Sequence, residues 1–185
     1  MPLKPWSRVD KRTVLNTRVF HVDEERWSSP RTGHDSPFAV IHSPDWVNVV
    51  ALDARENMVL IRQFRFGTAQ FTVEVPGGMV EPGEHPRVAA ERELLEETGY
   101  RCQRWVDLGF IEPNPALFDN RAHMFLAEGC ERTSEQQQDP GEDIEVMVVP
   151  VVEALRMLRR GEITHALVAV ALSRFSLYRE GLLEL

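Results

Sequence analysis

Residues 77–100 read GGMVEPGEHPRVAAERELLEETGY, and the rest of the chain can be understood by working outward from this stretch. A proline at its start and a glycine just past its end predict a helix over Pro86–Thr98. At 100° per residue, Glu93, Glu96 and Glu97 then fall on one face of the helix, within an arc of about 100°. The sequence therefore gathers three carboxylates on one side of one helix.

This clustering of like charge is unfavourable for an isolated helix. Glu93 and Glu97 are i,i+4 neighbours, which costs about 0.2–0.5 kcal/mol, and they lie in the last two turns, where the macrodipole disfavours negative charge. Arg92 can pair with Glu96 but cannot neutralise the group. An oxygen-binding divalent cation would remove both penalties, and Mg²⁺ is the usual ion where phosphates share its shell. A solvated acidic helix face is the alternative interpretation.

The spacing of the whole stretch resembles the Nudix box. Every fixed position of that signature is filled over residues 78–100, by Gly78, Glu84, Arg92-Glu93-Leu94, Glu96-Glu97 and Gly99-Tyr100. The resemblance implies a Nudix hydrolase with an α/β fold, an α/β/α sandwich around a mixed sheet. The strand and helix patterns along the chain are compatible with that architecture.

The same resemblance implies roles for the residues of the box. Glu93, Glu96 and Glu97 correspond to metal ligands, with the backbone carbonyl of Gly77 as a further ligand. Arg92 would orient these carboxylates, so Arg92 and Glu97 are both expected to be catalytic residues. The implied ion is Mg²⁺, with Mn²⁺ as an alternative.

Pyrophosphate hydrolysis also needs a base that accepts the proton of the attacking water. The polar segment Thr133–Asp143 has the length of a functional lid, and its end, Gly141–Val146, resembles the loop that carries the catalytic glutamate in ADP-ribose and nucleotide-sugar pyrophosphatases. We expect Glu142 to be the base, with Glu145 and Asp143 as alternatives. Ordinary solvated loop acids are the other interpretation.

Three further residues bear on the substrate. Ile61–Arg65 resembles a segment of the same group whose second arginine reaches the substrate phosphates, so Arg65 is either a clamp or a surface arginine at a strand end. Pro115 lies where ADP-ribose pyrophosphatases carry a marker proline, but the residues after it resemble a branch of nucleoside diphosphate sugar hydrolases instead. Trp46 is expected either to stack on a nucleobase or to fill the core.

Composition limits the classes of partner. The chain has 185 residues, 43% of them hydrophobic, which suffices for one domain over 1–185. A net charge of −8 without a long basic run argues against a nucleic-acid polymer or an anionic membrane as the main partner. Cys102 and Cys130 lack metal-ligand spacing, so free thiols are expected. The first twelve residues hold no apolar segment of signal length, and a cytoplasmic protein is expected.

The first 45 residues differ from the remainder. Leu15–Val22 and Phe38–Ser43 predict two short strands joined by a polar segment that contains turn residues. Two strands alone are marginally stable in water, so this extension must pack on the main body or on another copy of the chain. In the Nudix group that cleaves ADP-ribose, a similar sheet is exchanged between subunits, and the resemblance therefore implies a homodimer.

The combined expectation is a Mg²⁺-dependent hydrolase of nucleoside diphosphate sugars such as ADP-ribose or GDP-mannose. A nucleoside triphosphate or dinucleotide pyrophosphohydrolase with the same box is the first alternative. A non-catalytic, nucleotide-binding Nudix regulator is the second, although such domains typically lose box acids that this chain keeps. Isopentenyl diphosphate isomerase would need a cysteine upstream of the box, whereas Cys102 and Cys130 both follow it.

Overall fold

A computed structural model describes residues 2–138 and 141–184. The chain forms two compact units, each with its own sheet. One unit runs up to Pro44 and includes Glu112–Arg121. The other comprises Asp45–Ile111 and the chain from Ala122 onward.

The first unit is a three-stranded antiparallel sheet in the order β1-β2-β3. Its strands are β1 (Ser7–Asn16), β2 (His21–Ser28) and β3 (Asp35–His42). The side chains of β1 are exposed along the whole strand, including several apolar ones. Ion pairs join β1 to β2, among them Lys11 with the fully buried Asp23 at 2.6 Å.

The prediction of a strand over Leu15–Val22 was wrong, because that segment contains a turn, whereas the strand predicted over Phe38–Ser43 lies largely within β3. The N–H of Phe20 donates to the Thr17 hydroxyl at 3.0 Å, and the N–H of Thr17 donates to the Phe20 carbonyl at 3.0 Å. A threonine hydroxyl that bonds the backbone three residues on stabilises a turn. This local bond overrides the β-branched composition of the segment, and the chain reverses between β1 and β2.

The second unit is built on a mixed seven-stranded sheet with the central order β10-β5-β4-β9-β7, while β6 pairs with β5 and β8 with β9. The strands are β4 (Trp46–Asp53), β5 (Asn57–Arg65), β6 (Gln70–Glu74), β7 (Tyr100–Arg101), β8 (Arg104–Ile111), β9 (Ala122–Arg132) and β10 (Ile144–Pro150). Strands β4 and β9 are parallel, and the other pairs are antiparallel.

Helices cover both faces of this sheet. They are α1 (Pro86–Thr98), α2 (Val151–Arg159) and α3 (Ala166–Arg179). Alternate side chains of β4 point to opposite faces, so Val49 shares a core cluster with Leu94 of α1, whereas Val50 shares one with Leu172 of α3. This arrangement confirms the predicted α/β/α sandwich and the predicted bounds of α1. Within residues 2–138 and 141–184, no helix has the length and apolarity needed to cross a membrane.

Two glycines beside α1 are required by close backbone approaches. A Cβ on Gly77 would overlap the carbonyl oxygen of Val47, and a Cβ on Gly99 would overlap that of Ser134. Gly99 also ends α1 in the left-handed conformation, with φ of 76°. The loop before the helix and the loop after β9 can therefore pack closely against the body of this unit.

Cys102 and Cys130 form a disulfide, so the expectation of free thiols was wrong. The antiparallel register explains the pairing. Arg101 lies opposite Glu131, and the next pair of positions in the same register is Cys102 and Cys130. Their Cα atoms are 4.2 Å apart. The two cysteines are 28 residues apart in sequence, and that spacing alone does not predict that they are close in space.

Candidate active site

The three carboxylates of helix α1 differ in how much of each side chain is exposed to solvent. Glu97 is 3% exposed, the side chain of Glu93 is 12% exposed and that of Glu96 is 40% exposed. The N–H of Gly77 donates to Glu97 Oε2 at 2.8 Å. A Cβ on Gly78 would overlap the carboxylate of Glu93, so the glycine leaves the space that this carboxylate fills.

Burial makes ionisation of these acids unfavourable in the metal-free protein. Desolvation raises the pKa of Glu97 well above its ordinary value, and the charges of Glu93 and Glu142 raise it further, while the hydrogen bond from Gly77 lowers it. Desolvation also raises the pKa of Glu93, against the lowering effect of Arg92. The site therefore holds one buried and one half-buried carboxylate that a nearby positive charge would stabilise.

Arg92 is the cation that organises the box. Its Nε and Nη2 donate to the two carboxylate oxygens of Glu84, both at 3.0 Å. Its Nη1 donates to Glu93 at 2.8 Å and to Glu96 at 3.2 Å, and Nη2 also donates to the Met79 carbonyl at 3.0 Å. Arg92 thus connects the loop before α1 with two of the three helix carboxylates.

Two glutamines that were not predicted as site residues anchor the loop after β9. Gln136 bonds both the end of α1 and the start of β10, and Gln138 bonds the start of β10. Gln136 Nε2 donates to the carbonyls of Glu97, at 2.7 Å, and Ile144, at 3.1 Å. Gln138 exchanges two hydrogen bonds with the backbone of Ile144, at 2.8 and 3.2 Å. The last carbonyls of a helix have no intrahelical hydrogen-bond donor, so a sequence can indicate that the Glu97 carbonyl needs a partner. It cannot indicate that Gln136 is that partner.

Glu142 lies at the end of this loop, close enough to the helix acids to act on them electrostatically. Its charge raises the pKa of Glu93 and of Glu97, and it also raises that of Arg65. The structure therefore brings Glu142 to the same site as Glu93 and Glu97.

The two alternative bases have different surroundings. Glu145 pairs with Arg62 at 3.4 Å on neighbouring strands, and Asp143 is exposed. Residues 139 and 140 of the predicted loop lie outside the described part of the chain.

Arg65 is held by a partner that the sequence analysis overlooked. Its Nε and Nη2 each donate at 2.7 Å to one oxygen of Glu74, which is 2% exposed. Glu74 raises the pKa of Arg65 most, and the charge of Glu97 adds to the effect. His165 lies in electrostatic range of both members of the pair, and its own pKa is lowered by burial. A bidentate partner fixes the plane of the guanidinium near the acids of α1.

The other two predicted substrate residues belong to different units of the chain. Trp46 begins β4, is half-buried and forms an isolated bridge with Met79. Pro115 is exposed in a turn in which the N–H groups of Leu117 and Phe118 donate to the Asn114 carbonyl at 2.9 and 2.8 Å. That turn belongs to the unit of the three-stranded sheet.

Comparisons with known proteins agree with the geometry. Residues 43–169 match the family model described as NUDIX domain. An ADP-ribose pyrophosphatase of Bacillus subtilis is 30% identical over 170 residues, which cover 91% of each chain. A GDP-mannose pyrophosphatase of Cronobacter sakazakii is 31% identical over 131 residues, covering 66% of this chain and 68% of that one. A crystal structure of an ADP compounds hydrolase shares the fold, with a TM-score of 0.86 at 22% identity over 98% of this chain and 97% of that one.

The raised pKa of Glu97 predicts how stability depends on pH in the absence of metal. The stability linked to this group is fully present below its unfolded pKa, about 4.3, and is lost as the pH rises through the higher folded value. Glu97→Gln removes that loss and keeps an acceptor for the Gly77 N–H. In a chelating buffer, the melting temperature of Glu97→Gln minus that of the wild type should be near zero at pH 4 and positive at pH 8.

Glu131→Gln is the matched control, because Glu131 is exposed on β9. Its melting temperature should follow that of the wild type at both pH values. A Glu97→Gln protein that is no more stable than the wild type at pH 8 would contradict the assigned burial cost.

The anchoring of the loop predicts a local effect of Gln136→Leu. The substitution removes two side-chain hydrogen bonds, worth about 0.5–1.5 kcal/mol each. Amide hydrogen exchange of residues 134–144 should become faster, while exchange in β4 stays unchanged. Gln103→Leu, at an exposed position, is the control. Unchanged exchange in the Gln136→Leu loop would show that other contacts hold the segment.

Proposed function

The chain belongs to the Nudix family of hydrolases, and on that premise we propose that it cleaves the pyrophosphate bond of nucleoside diphosphate sugars. ADP-ribose and GDP-mannose are the first candidates, because relatives named for these two substrates are about 30% identical to this chain. The products are a nucleoside monophosphate and a sugar phosphate. The observation that carries the proposal is the pair of the half-buried Glu93 and the buried Glu97, with Glu142 in electrostatic range.

Glu93, Glu96 and Glu97 suit a hard divalent cation. They offer oxygen donors only, and the desolvated Glu93 and Glu97 would be stabilised in their ionised form by a cation. We assign Mg²⁺ to this position, with Mn²⁺ as a substitute and the Gly77 carbonyl as a further ligand. The bound ion would supply charge neutralisation on the diphosphate.

Side chains of this chain position the metal ligands and accept the proton in this proposal. Arg92 keeps Glu93 and Glu96 in place through hydrogen bonds from one nitrogen. Glu142 accepts a proton from the attacking water while the water oxygen bonds to phosphorus and the bridging P–O bond breaks. Asp143 and Glu145 are the alternative bases.

Substrate binding is assigned to three residues. Arg65, held by Glu74, presents the remaining face of its guanidinium to the phosphates. Trp46 offers an indole on which the base can stack. Pro115, on an exposed turn of the other unit, stays a predicted substrate-binding residue.

A homodimer is part of the proposal. Support comes from β1, an edge strand whose Val9, Val14 and Leu15 are about half exposed, since such an edge pairs readily with another chain. The cytoplasmic location stays a prediction. The disulfide between Cys102 and Cys130 runs against it, because thiols are normally kept reduced in that compartment.

The test is release of phosphomonoester from a panel of substrates in the presence of Mg²⁺. The panel holds ADP-ribose, GDP-mannose, ADP-glucose, UDP-glucose, NADH, diadenosine polyphosphates and nucleoside triphosphates. Nucleotide sugars should be cleaved, and Glu97→Gln should abolish cleavage. Glu142→Gln should lower kcat by about 10²–10⁴, the usual contribution of a general base, with little change in KM.

Glu131→Gln serves as the control with unchanged activity, and Asp143→Asn and Glu145→Gln test the alternative bases. Cleavage of triphosphates alone would overturn the substrate assignment. Tight binding of nucleotide sugars without cleavage of any substrate would favour a binding module. A large loss of kcat in Glu145→Gln but not in Glu142→Gln would move the base.

A further inference from the structure

The three-stranded sheet carries a second cluster of metal-ligating side chains, far from the box in sequence. His21 of β2 lies directly opposite His42 of β3 in the antiparallel register. Asp23 is two residues further along β2, so its side chain is on the same face of the sheet as His21. One ligand atom from each of the three residues lies within 4.8 Å of the other two. The two imidazole rings are stacked, with centroids 4.5 Å apart.

Two buried atoms of this cluster face each other without a hydrogen bond. Asp23 is 0% exposed and its Oδ2 is in contact with Lys11 Nζ at 2.6 Å, whereas the buried Nε2 of His42 forms no hydrogen bond of good geometry with the described residues. Asp23 Oδ2 and His42 Nε2 are 3.2 Å apart. A tetrahedral ion at about 2.0–2.1 Å from each ligand would set them about 3.3 Å apart. The observed separation fits two ligands of one ion, and it also fits a direct His–Asp ion pair.

The far side of the His42 ring is oriented by a second carboxylate. His42 Nδ1 lies 2.5 Å from Asp119 Oδ2, in the turn-containing segment of the same unit. A carboxylate at one imidazole nitrogen fixes the tautomer and leaves the lone pair of the other nitrogen free for a metal. In that tautomer the Nε2 lone pair of His42 faces Asp23 Oδ2, the carboxylate oxygen that Lys11 also contacts.

Lys11 is the cation that now neutralises Asp23. Its Nζ is 2.6 Å from Asp23 Oδ2, and 45% of its side chain is exposed. A flexible, strongly hydrated ammonium group can move into solvent. The other oxygen of Asp23 accepts a hydrogen bond from Thr13 at 2.7 Å, which keeps the carboxylate oriented after Lys11 leaves. Lys11 therefore competes with any metal ion for this carboxylate.

We propose that His21, Asp23 and His42 bind a borderline transition-metal ion, Zn²⁺ first, that joins β2 to β3. Two imidazole nitrogens and one carboxylate favour Zn²⁺, Co²⁺ or Ni²⁺ over Mg²⁺. A cavity of about 480 Å³ borders both histidines and leaves room for a fourth ligand such as water. The ion has a structural role, because this unit has only three strands and small units gain most from a metal. The site is independent of the function proposed for the box.

The test is titration of the full chain with Co²⁺, followed by visible absorption. A tetrahedral Co²⁺ site with nitrogen ligands absorbs strongly, whereas an octahedral all-oxygen site at the box absorbs weakly. We expect one equivalent of strong absorption, which Zn²⁺ displaces and which Glu97→Gln leaves unchanged. His42→Ala and His21→Ala should abolish it. His34→Ala, the same change at an exposed histidine before β3, should retain it.

Lys11→Met tests the same site without changing either histidine, so its result does not depend on whether the histidine variants fold. Removal of the competing ammonium should tighten Co²⁺ binding at least tenfold, and Zn²⁺ should raise the melting temperature of this variant. Three results would each overturn the proposal: no tetrahedral absorption in the wild type, unchanged absorption in a folded His42→Ala protein, or equal affinity in Lys11→Met. The first result would leave the direct contacts of His42 with Asp23 and Asp119, without a metal, as the explanation of the cluster.

Discussion

The candidate site depends most on the desolvation of two carboxylates, those of Glu93 and Glu97. Glu97 of α1 is buried and Glu93 is half-buried, and desolvation opposes the ionisation of both. The Gly77 N–H and the guanidinium of Arg92 offset part of this cost. The rest remains available to a cation that binds there, so the same arrangement that weakens the metal-free protein creates affinity for a divalent ion.

Much of the surrounding structure can be understood as support for these two side chains. Gly77 lets the loop approach β4, and Gly78 leaves space for the Glu93 carboxylate. Gln136 bonds the Glu97 carbonyl and so fixes the loop that ends in Glu142. Each contact is worth little alone. Together they keep Glu142 of the loop in electrostatic range of the acids of α1.

The sequence predicted the parts of this arrangement that follow from local rules. The bounds of α1 and the shared face of Glu93, Glu96 and Glu97 follow from helical periodicity and its end signals. Contacts between distant segments could not be predicted. The disulfide of Cys102 follows from the register of β7 on β9, and Glu74 meets Arg65 only because β6 pairs with β5.

Thermal unfolding near neutral pH, with and without Mg²⁺, tests the central claim most directly. A ligand that binds only the folded state raises its stability, by about 2.7 kcal/mol at one hundred times the dissociation constant. If the acids of α1 hold the ion, Mg²⁺ should raise the melting temperature of the wild type and have little effect on Glu97→Gln. An equal Mg²⁺-dependent rise in both proteins would contradict the account, because the ion would then bind somewhere other than the carboxylates of α1.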